Sequence, residues 1–213
     1  MTPFISFEGL DGSGKTTQVR LLATFLENRG IPVSVLREPG GTPLGEAIRS
    51  VLLSSRTVGL LPLSELLLYY AARNQNVCQN IIPAQGQGKW ILCDRFADAS
   101  AAYQGYGRGI DLSLVKFLNS TVIQGNNPDL TLLIDINPVV ALSRARKRNR
   151  QLTVDEGRFE QESLEFYQRV RQGYLQIARR EPHRVHILDG NQPIENIQEE
   201  IVRLISPLLP WPC

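Results

Sequence analysis

Short apolar runs alternate along the chain with longer stretches whose apolar positions recur every three or four residues. The short runs lie at residues 3–8, 32–37, 90–94, 130–135 and 184–188 and are apolar on both faces, which predicts strands buried within a parallel sheet. The longer stretches predict helices over residues 15–29, 44–54, 63–82, 112–124, 139–148, 158–180 and 194–204, with Gly30 placed to cap the first. Such alternation predicts an α/β fold, a five-stranded parallel sheet flanked by helices on both faces. Residues 63–70 are apolar nearly all round, so this helix is expected to be buried on more than one side, inside the domain or against a second subunit. No internal repeat or low-complexity linker appears in the 213 residues, which are expected to form one domain.

Four of the strands end on a charged residue, namely Glu8, Arg37, Asp94 and Asp135. In open α/β sheets ligands bind beyond the carboxyl ends of the strands, so these charges are expected to gather at one rim.

Composition narrows the function classes. Apolar content of 42% and charged content of 21% are those of an ordinary globular chain rather than a disordered one. A net charge of +2 gives no support to a general nucleic-acid binder. Cys78, Cys93 and Cys213 have no metal-ligand spacing and are expected to be reduced thiols. His183 and His186 flank the last strand and are expected to be structural or surface residues. The N-terminus enters an apolar strand with no basic region or cleavage site ahead of it, and no apolar run approaches the roughly 20 residues of a membrane span. The expectation is a soluble, cytoplasmic protein that binds neither membrane nor nucleic acid.

The segment Gly9-Leu10-Asp11-Gly12-Ser13-Gly14-Lys15-Thr16 matches G-x-x-x-x-G-K-[ST] between a predicted strand and a predicted helix, the context such a motif requires. Its glycines let successive backbone N–H groups turn inward around an anion, and the helix that follows adds its positive end. Lys15 is expected to reach the β- and γ-phosphates of a nucleoside triphosphate, and the Thr16 hydroxyl to ligate Mg²⁺. A GTPase would need an N-K-x-D box, yet none of Lys15, Lys89, Lys116 and Lys147 follows an asparagine. Nineteen of the 23 basic residues are arginine, whose planar fork suits phosphoryl oxygens.

Further signals follow the P-loop. Arg37-Glu38-Pro39-Gly40-Gly41-Thr42 ends the second strand, and Tyr69 and Arg73 stand four apart on one helix face. Asp94-Arg95-Phe96 ends the third strand, and Tyr103-Gln104-Gly105-Tyr106-Gly107-Arg108-Gly109 reads as a glycine-spaced loop. A densely basic run spans residues 144–150.

The ordered set F-E-G-x-D-G-x-G-K-T-T, R-E-P-G-G-T, Y-A-A-R, D-R-F, Y-Q-G-x-G-R-G, P-D-L-T and G-R-F-E-Q-E resembles bacterial-type thymidylate kinases, of the P-loop nucleoside-monophosphate kinase superfamily, over residues 3–205. The resemblance implies Mg²⁺-dependent transfer of the ATP γ-phosphoryl group to dTMP, giving dTDP and ADP for dTTP synthesis, by a homodimer. It also implies roles. Residues 9–16 with Thr17 would bind ATP, and Thr16 and Asp94 the metal. Lys15 and Arg95 would act on the phosphates. Asp11 would lie near the acceptor's sugar hydroxyl and phosphate, and Arg37, Glu38 and Arg108 would line the acceptor site, unless Glu38 orients an arginine. Tyr69, Arg73 and Ser100 would meet the base, and Tyr103 would crowd out a ribose 2′-hydroxyl. The basic run would open a lid over residues 144–158 that carries an arginine onto the γ-phosphoryl, with Arg146, Arg148, Arg150 and Arg158 as candidates.

Two departures stand out. Residues 149–157 are slightly more numerous than usual, and Gly157-Arg158 replaces a common Asp-Arg. The P-loop interior, Gly12-Ser13, lacks the arginine found there in eukaryotic-type relatives and so resembles the bacterial branch, a resemblance that implies a charge supplied by the lid. Two other readings remain open on sequence: another small nucleoside or nucleoside-monophosphate kinase, and a non-catalytic module that binds nucleotide or nucleic acid.

Overall fold

In the computed structural model, which describes residues 2–150 and 155–210, the five apolar runs form one parallel sheet. The strands are β1 (Phe4–Glu8), β2 (Val33–Arg37), β3 (Trp90–Asp94), β4 (Leu130–Asp135) and β5 (Val185–Asp189), in the order β2-β3-β1-β4-β5. The register sets Phe7 of β1 opposite Asp94 of β3 and Arg37 of β2 opposite the same residue, so the carboxyl ends share one edge. Burial on both faces holds for β1, β3 and β4 but not for the outer strands: Val35 of β2 and Ile187 of β5 are about half exposed. An edge strand has a neighbour on one side only, so alternate side chains escape cover.

One sheet face is covered by α1 (Lys15–Glu27) and α9 (Ile194–Ile205), whose Leu22, Leu26, Ile197 and Ile201 meet Ile5, Phe7, Leu132 and Ile134. Gly30, at φ +71°, turns the chain back after α1, which ends one residue beyond Glu27 at its cap Asn28. The opposite face carries α7 (Pro138–Asn149) and α8 (Leu164–Arg180), where Leu142, Phe166, Tyr167, Val170 and Tyr174 pack with Leu133 and Tyr103. The remaining helices are α2 (Pro43–Leu53), α3 (Pro62–Asn76), α4 (Ile82–Gly86), α5 (Ala97–Ser100) and α6 (Leu112–Ile123).

Three helical expectations are corrected. The stretch 63–82 is not one α-helix: α3 gives way to a π-helical segment, Val77–Ile81, before α4. The glycine-spaced stretch 103–109 is largely helical, because α5 continues into a π-helix over Ala101–Gly107. The helix expected from residue 158 starts at Leu164, after a single 3₁₀ turn at Phe159–Gln161, with the Ser163 side chain accepting from the Phe166 N–H as its cap. The all-round burial expected of residues 63–70 is also absent within the chain: Leu66 and Tyr70 are buried, while Leu63 and Leu67 are half exposed. Among the described residues, no helix is long and apolar enough to cross a membrane. Residues 151–154 of the expected lid and 211–213, including Cys213, lie outside the described residues; Cys78 and Cys93 are free thiols.

Candidate active site

The P-loop joins β1 to α1 at the carboxyl edge of the sheet. Gly9, Gly12 and Gly14 take φ of +135°, +82° and +102°, conformations open to glycine and of the kind that let a loop wrap its backbone N–H groups around an anion. At Gly12 a side chain is also excluded by contact: an added Cβ would collide with the Ala141 carbonyl and come within 3.0 Å of Arg144 Cβ. The missing arginine at this point of the loop therefore has a physical counterpart. Helix α7 packs directly on the loop and brings its own arginines, Arg144 and Arg148, to the loop's mouth beside Gly14, Lys15, Thr16 and Thr17. Leu10 turns into the core, and the Ser13 hydroxyl is buried with no hydrogen-bond partner among the described residues, a polar atom still awaiting a ligand.

Lys15 is buried and folds its ammonium onto the carbonyl oxygens of Gly9, at 3.1 Å, and Leu10, at 2.8 Å. Burial, aided by the charge of Arg95, lowers its pKa to about 8 against the pull of Asp94, Asp11 and Glu8. The Thr16 hydroxyl donates to Asp94 at 2.5 Å, so the two residues expected to hold Mg²⁺ are neighbours. A hydroxyl beside a strand-end carboxylate is an oxygen donor pair of the kind a hard cation takes.

Arg95 lies at the centre. Its guanidinium donates to Asp11 at 2.9 Å, to the Tyr103 hydroxyl at 3.0 Å and to the Tyr174 hydroxyl at 3.1 Å. Burial works to raise the Asp11 carboxyl, but Arg95, Lys15 and Arg148 together outweigh it and hold Asp11 well below the usual carboxylate range. Asp11 is therefore ionised, and it also accepts from Tyr103 at 3.2 Å. Burial pushes the Tyr103 phenol up, keeping it a donor.

Beyond Arg95 opens a cavity lined by Tyr69, Arg73, Ser100 and Tyr103 with Asp11, Glu38 and Arg95. Arg73 is fully buried and locked: Nε donates to Glu38 at 2.7 Å, Nη1 to Ser100 at 2.9 Å and Nη2 to the Phe96 carbonyl at 2.9 Å. Glu38 lines the cavity and also holds an arginine, with Asn76 donating to its other oxygen at 3.0 Å. The cavity continues into a cleft shared by Asp11, Glu38, Arg49 and Arg95, which is also lined by Lys15, Thr16, Arg37, Asp94, Arg148 and Glu156. Arg37, half exposed, pairs with Glu46 at 2.9 Å there. Arg148 lines both this cleft and the P-loop mouth.

Four sequence candidates stand elsewhere. Arg150 is exposed at the end of α7 and lines none of these spaces. Arg158 is buried against Glu65 at 2.7 Å, with its Nε on the Leu52 carbonyl, too committed to reach a phosphate in this conformation. Arg108 does not line the cavity; it pairs with Glu65 at 3.1 Å and Glu162 at 2.6 Å over the Phe166 ring. Both arginines meet at Glu65, a fully buried carboxylate that also accepts from Gln104 at 2.9 Å. Arg146 reaches the Glu160 carbonyl at 3.1 Å.

Several lining residues were not singled out in the sequence: Arg49, Leu53, Gln104 and Phe159. Arg49 grips Glu156 through two hydrogen bonds of 2.8 Å and the Pro39 carbonyl at 2.9 Å, tying α2 to the segment that leaves the lid. Gln104 and Phe159 lay inside noted motifs, Y-Q-G-x-G-R-G and G-R-F-E-Q-E, without a role of their own; Arg49 and Leu53 sit on or beside a helix whose pattern signals burial or charge and nothing more.

The chain is similar to known proteins over its whole length. It is 49% identical to the thymidylate kinase of Syntrophotalea carbinolica across 213 residues, covering 100% of this chain and 99% of that one. It is 47% identical to the thymidylate kinase of Kosmotoga olearia across 200 residues, covering 94% and 93%. The crystal structure of thymidylate kinase from Ehrlichia chaffeensis superposes with a TM-score of 0.77 at 39% identity, covering 96% of this chain and 98% of that one. A family model described as thymidylate kinase matches residues 7–201. By sequence and fold alike, the chain belongs to the thymidylate kinase family.

Proposed function

We propose that this protein transfers the γ-phosphoryl group of ATP to dTMP, giving dTDP and ADP, as a step toward dTTP. The observation that carries the reading is one unbroken line of three spaces: a cavity, a phosphate cleft and the P-loop mouth. Arg95 and Asp11 are shared by the first two, and Lys15, Thr16 and Arg148 by the last two. An acceptor in the cavity and a donor on the P-loop would meet in the cleft, where positioning and charge neutralisation are what phosphoryl transfer demands.

In this reading an oxygen of the acceptor's 5′-phosphate attacks the γ-phosphorus, the bond to the bridging oxygen breaks, and ADP leaves. Lys15 gives up its two carbonyl partners for the donor's phosphates. Arg95 bridges the acceptor and donor phosphates, steadied by Asp11. Arg148 is the lid arginine at the transferring group, since it borders both the cleft and the loop mouth. Tyr69, Arg73 and Ser100 hold the thymine, and Tyr103 crowds out a ribose 2′-hydroxyl. Thr16 and Asp94 would hold Mg²⁺, which when bound would supply neutralisation of phosphate charge. We also propose a cytoplasmic homodimer that joins through α3 and α6, supported by the exposure of Leu63, Leu67 and Phe117 on those helices.

A coupled assay of ADP release across dTMP, dUMP, dGMP, CMP and AMP tests the substrate. A clear preference for dTMP is expected; preference for any other acceptor overturns it.

A further inference from the structure

Glu8 ends β1 and is fully buried, yet it lines none of the three spaces. A buried carboxylate persists only where specific partners satisfy it. One oxygen accepts the Phe96 N–H at 2.8 Å, and the other accepts the Tyr174 hydroxyl at 2.7 Å. Both lead to Arg95. The Phe96 peptide follows Arg95 directly, and Arg95 has φ of 70°, a left-handed conformation that a long side chain adopts only under constraint. Its own N–H donates to the Phe7 carbonyl at 2.9 Å, and Cys93 Sγ donates to its carbonyl at 3.1 Å. Glu8 closes the turn from the far side. On the other arm, the Tyr174 hydroxyl points its proton at Glu8 and so presents its oxygen to Arg95, whose Nη1 donates to it at 3.1 Å.

We propose that Glu8 is the positioning residue for Arg95, holding its left-handed turn with one carboxylate oxygen and its guanidinium, through Tyr174, with the other. The inference rests on the reading of Arg95 as the arginine that bridges acceptor and donor phosphates. The arrangement requires the anion, since both partners of Glu8 are donors. Gln at this position offers a donor of its own, so the Tyr174 proton must turn away from it and toward a guanidinium that can only donate. Arg95 then loses one of the partners that fix its plane.

The charged and titratable groups around Glu8 are Asp98 of α5, Arg95 after β3, Tyr174 of α8, Lys15 of α1, Arg73 of α3 and Cys93 of β3. Burial, with the nearby charge of Asp98, raises the Glu8 pKa to about 7 against Arg95, the Phe96 N–H and Tyr174. The positioning anion is accordingly one that neutral pH can remove.

The test is steady-state kinetics with dTMP and ATP, over roughly pH 6–9, for the wild type, Glu8→Gln, Tyr174→Phe and the double variant. Glu8→Gln is expected to lower kcat by about tenfold to a hundredfold, the cost of a slightly misplaced group, while both KM values move less than about threefold. It should also remove the acidic limb of the wild-type kcat profile. Tyr174→Phe should lower kcat in the same direction, and the double variant should be no worse than the poorer single one, because the two residues form one relay. A folded Glu8→Gln enzyme with wild-type kcat and pH profile would overturn the inference. So would a double variant whose losses multiply. Should Glu8→Gln fail to fold, Tyr174→Phe decides alone, since it removes a single oxygen; wild-type kcat there overturns the inference. A wild type inactive on dTMP would count against the substrate instead, and the series is then run with the acceptor it does use.

Discussion

At the scale of residues, Lys15 is held in wait. Its ammonium rests on two carbonyl oxygens with a pKa near 8, so close to that pH a fraction of the free enzyme carries it neutral. A triphosphate favours the charged form, and donor binding around pH 8 is therefore expected to take up a proton. Calorimetric binding enthalpies in buffers of differing ionisation enthalpy measure that uptake, and Lys15→Met should abolish it; the same variant should lower turnover by about a thousandfold or more. Glu8 carries the opposite sign in stability. Its folded pKa of about 7 lies above its ordinary 4.5, so between those values the native chain binds more protons than the unfolded one. Its contribution to folding is accordingly best below that window, is lost as pH rises to about 7, and is flat above; the whole difference is about 3 kcal/mol. Glu8→Gln should flatten this slope in urea denaturation at pH 5 and pH 8 (both roughly chosen to bracket the change). Arg73→Ala is expected to combine two losses: the proposed hold on thymine, read as a raised KM for dTMP, and the pairing of buried Glu38, which should destabilise the fold by about 3 kcal/mol.

At the scale of elements, the π-helix over Ala101–Gly107 and α8 are fitted to each other through glycines. A Cβ on Gly107 would meet Phe166 at 2.7 Å and Val170 at 2.8 Å, and one on Gly173 would meet the Tyr106 ring at 2.7 Å. Gly173→Ala is expected to cost about 1–3 kcal/mol by overpacking, seen as a lower Tm, and to weaken dTMP binding because this contact sets Tyr103 and Gln104. That fit explains why the stretch read as a loop. Glycines interrupt the 3.6-residue pattern for the sake of a neighbouring helix, and the neighbour is invisible in a single sequence. The start of α8 is legible in principle: Ser163, whose side chain caps the Phe166 N–H, carries the usual N-terminal signal, but the apolar pattern runs back past it to residue 158. The join from α3 through π-helix to α4 offers no such mark, because 3.6- and wider-turn helices bury similar residues. The exit from the lid is latched to α2 by Asp155, which accepts from Ser54 and from both Ser55 groups at 2.7–3.0 Å. Asp155→Ala should speed amide exchange at Arg158, whose N–H reaches the Leu53 carbonyl beside this latch.

At the scale of the whole molecule, the parallel sheet brings its strand ends to one rim, and that rim was readable because buried parallel strands are short, apolar and end on charges. The P-loop, Asp94, Arg95 and the Tyr69–Arg73 pair fell within its reach. Arg49 and Phe159 did not: the first sits on a helix, the second after the lid, and only tertiary closure makes them walls of one cavity. The exposed Leu63, Leu67 and Phe117 belong to this scale too. Leu67→Asp with Phe117→Asp is expected to yield a monomer by light scattering, where the wild type is expected to give twice the chain mass; an unchanged mass would remove α3 and α6 from the proposed interface.

Glu65 has a consequence for how such a sequence can drift over generations. One carboxylate serves Gln104 from the π-helix, Arg108 beyond it and Arg158 from the lid exit, so each of the four is the others' constraint. Losing Glu65 alone would strand the Arg158 guanidinium beside an apolar cluster and leave Arg108 to Glu162 alone, and losing either arginine would take one of the buried acid's two cationic partners. Lineages descended from a chain built this way should therefore exchange these positions together or hold all four still, and a substitution at one that persists without a change at the others would mark a cavity wall that has found a different support.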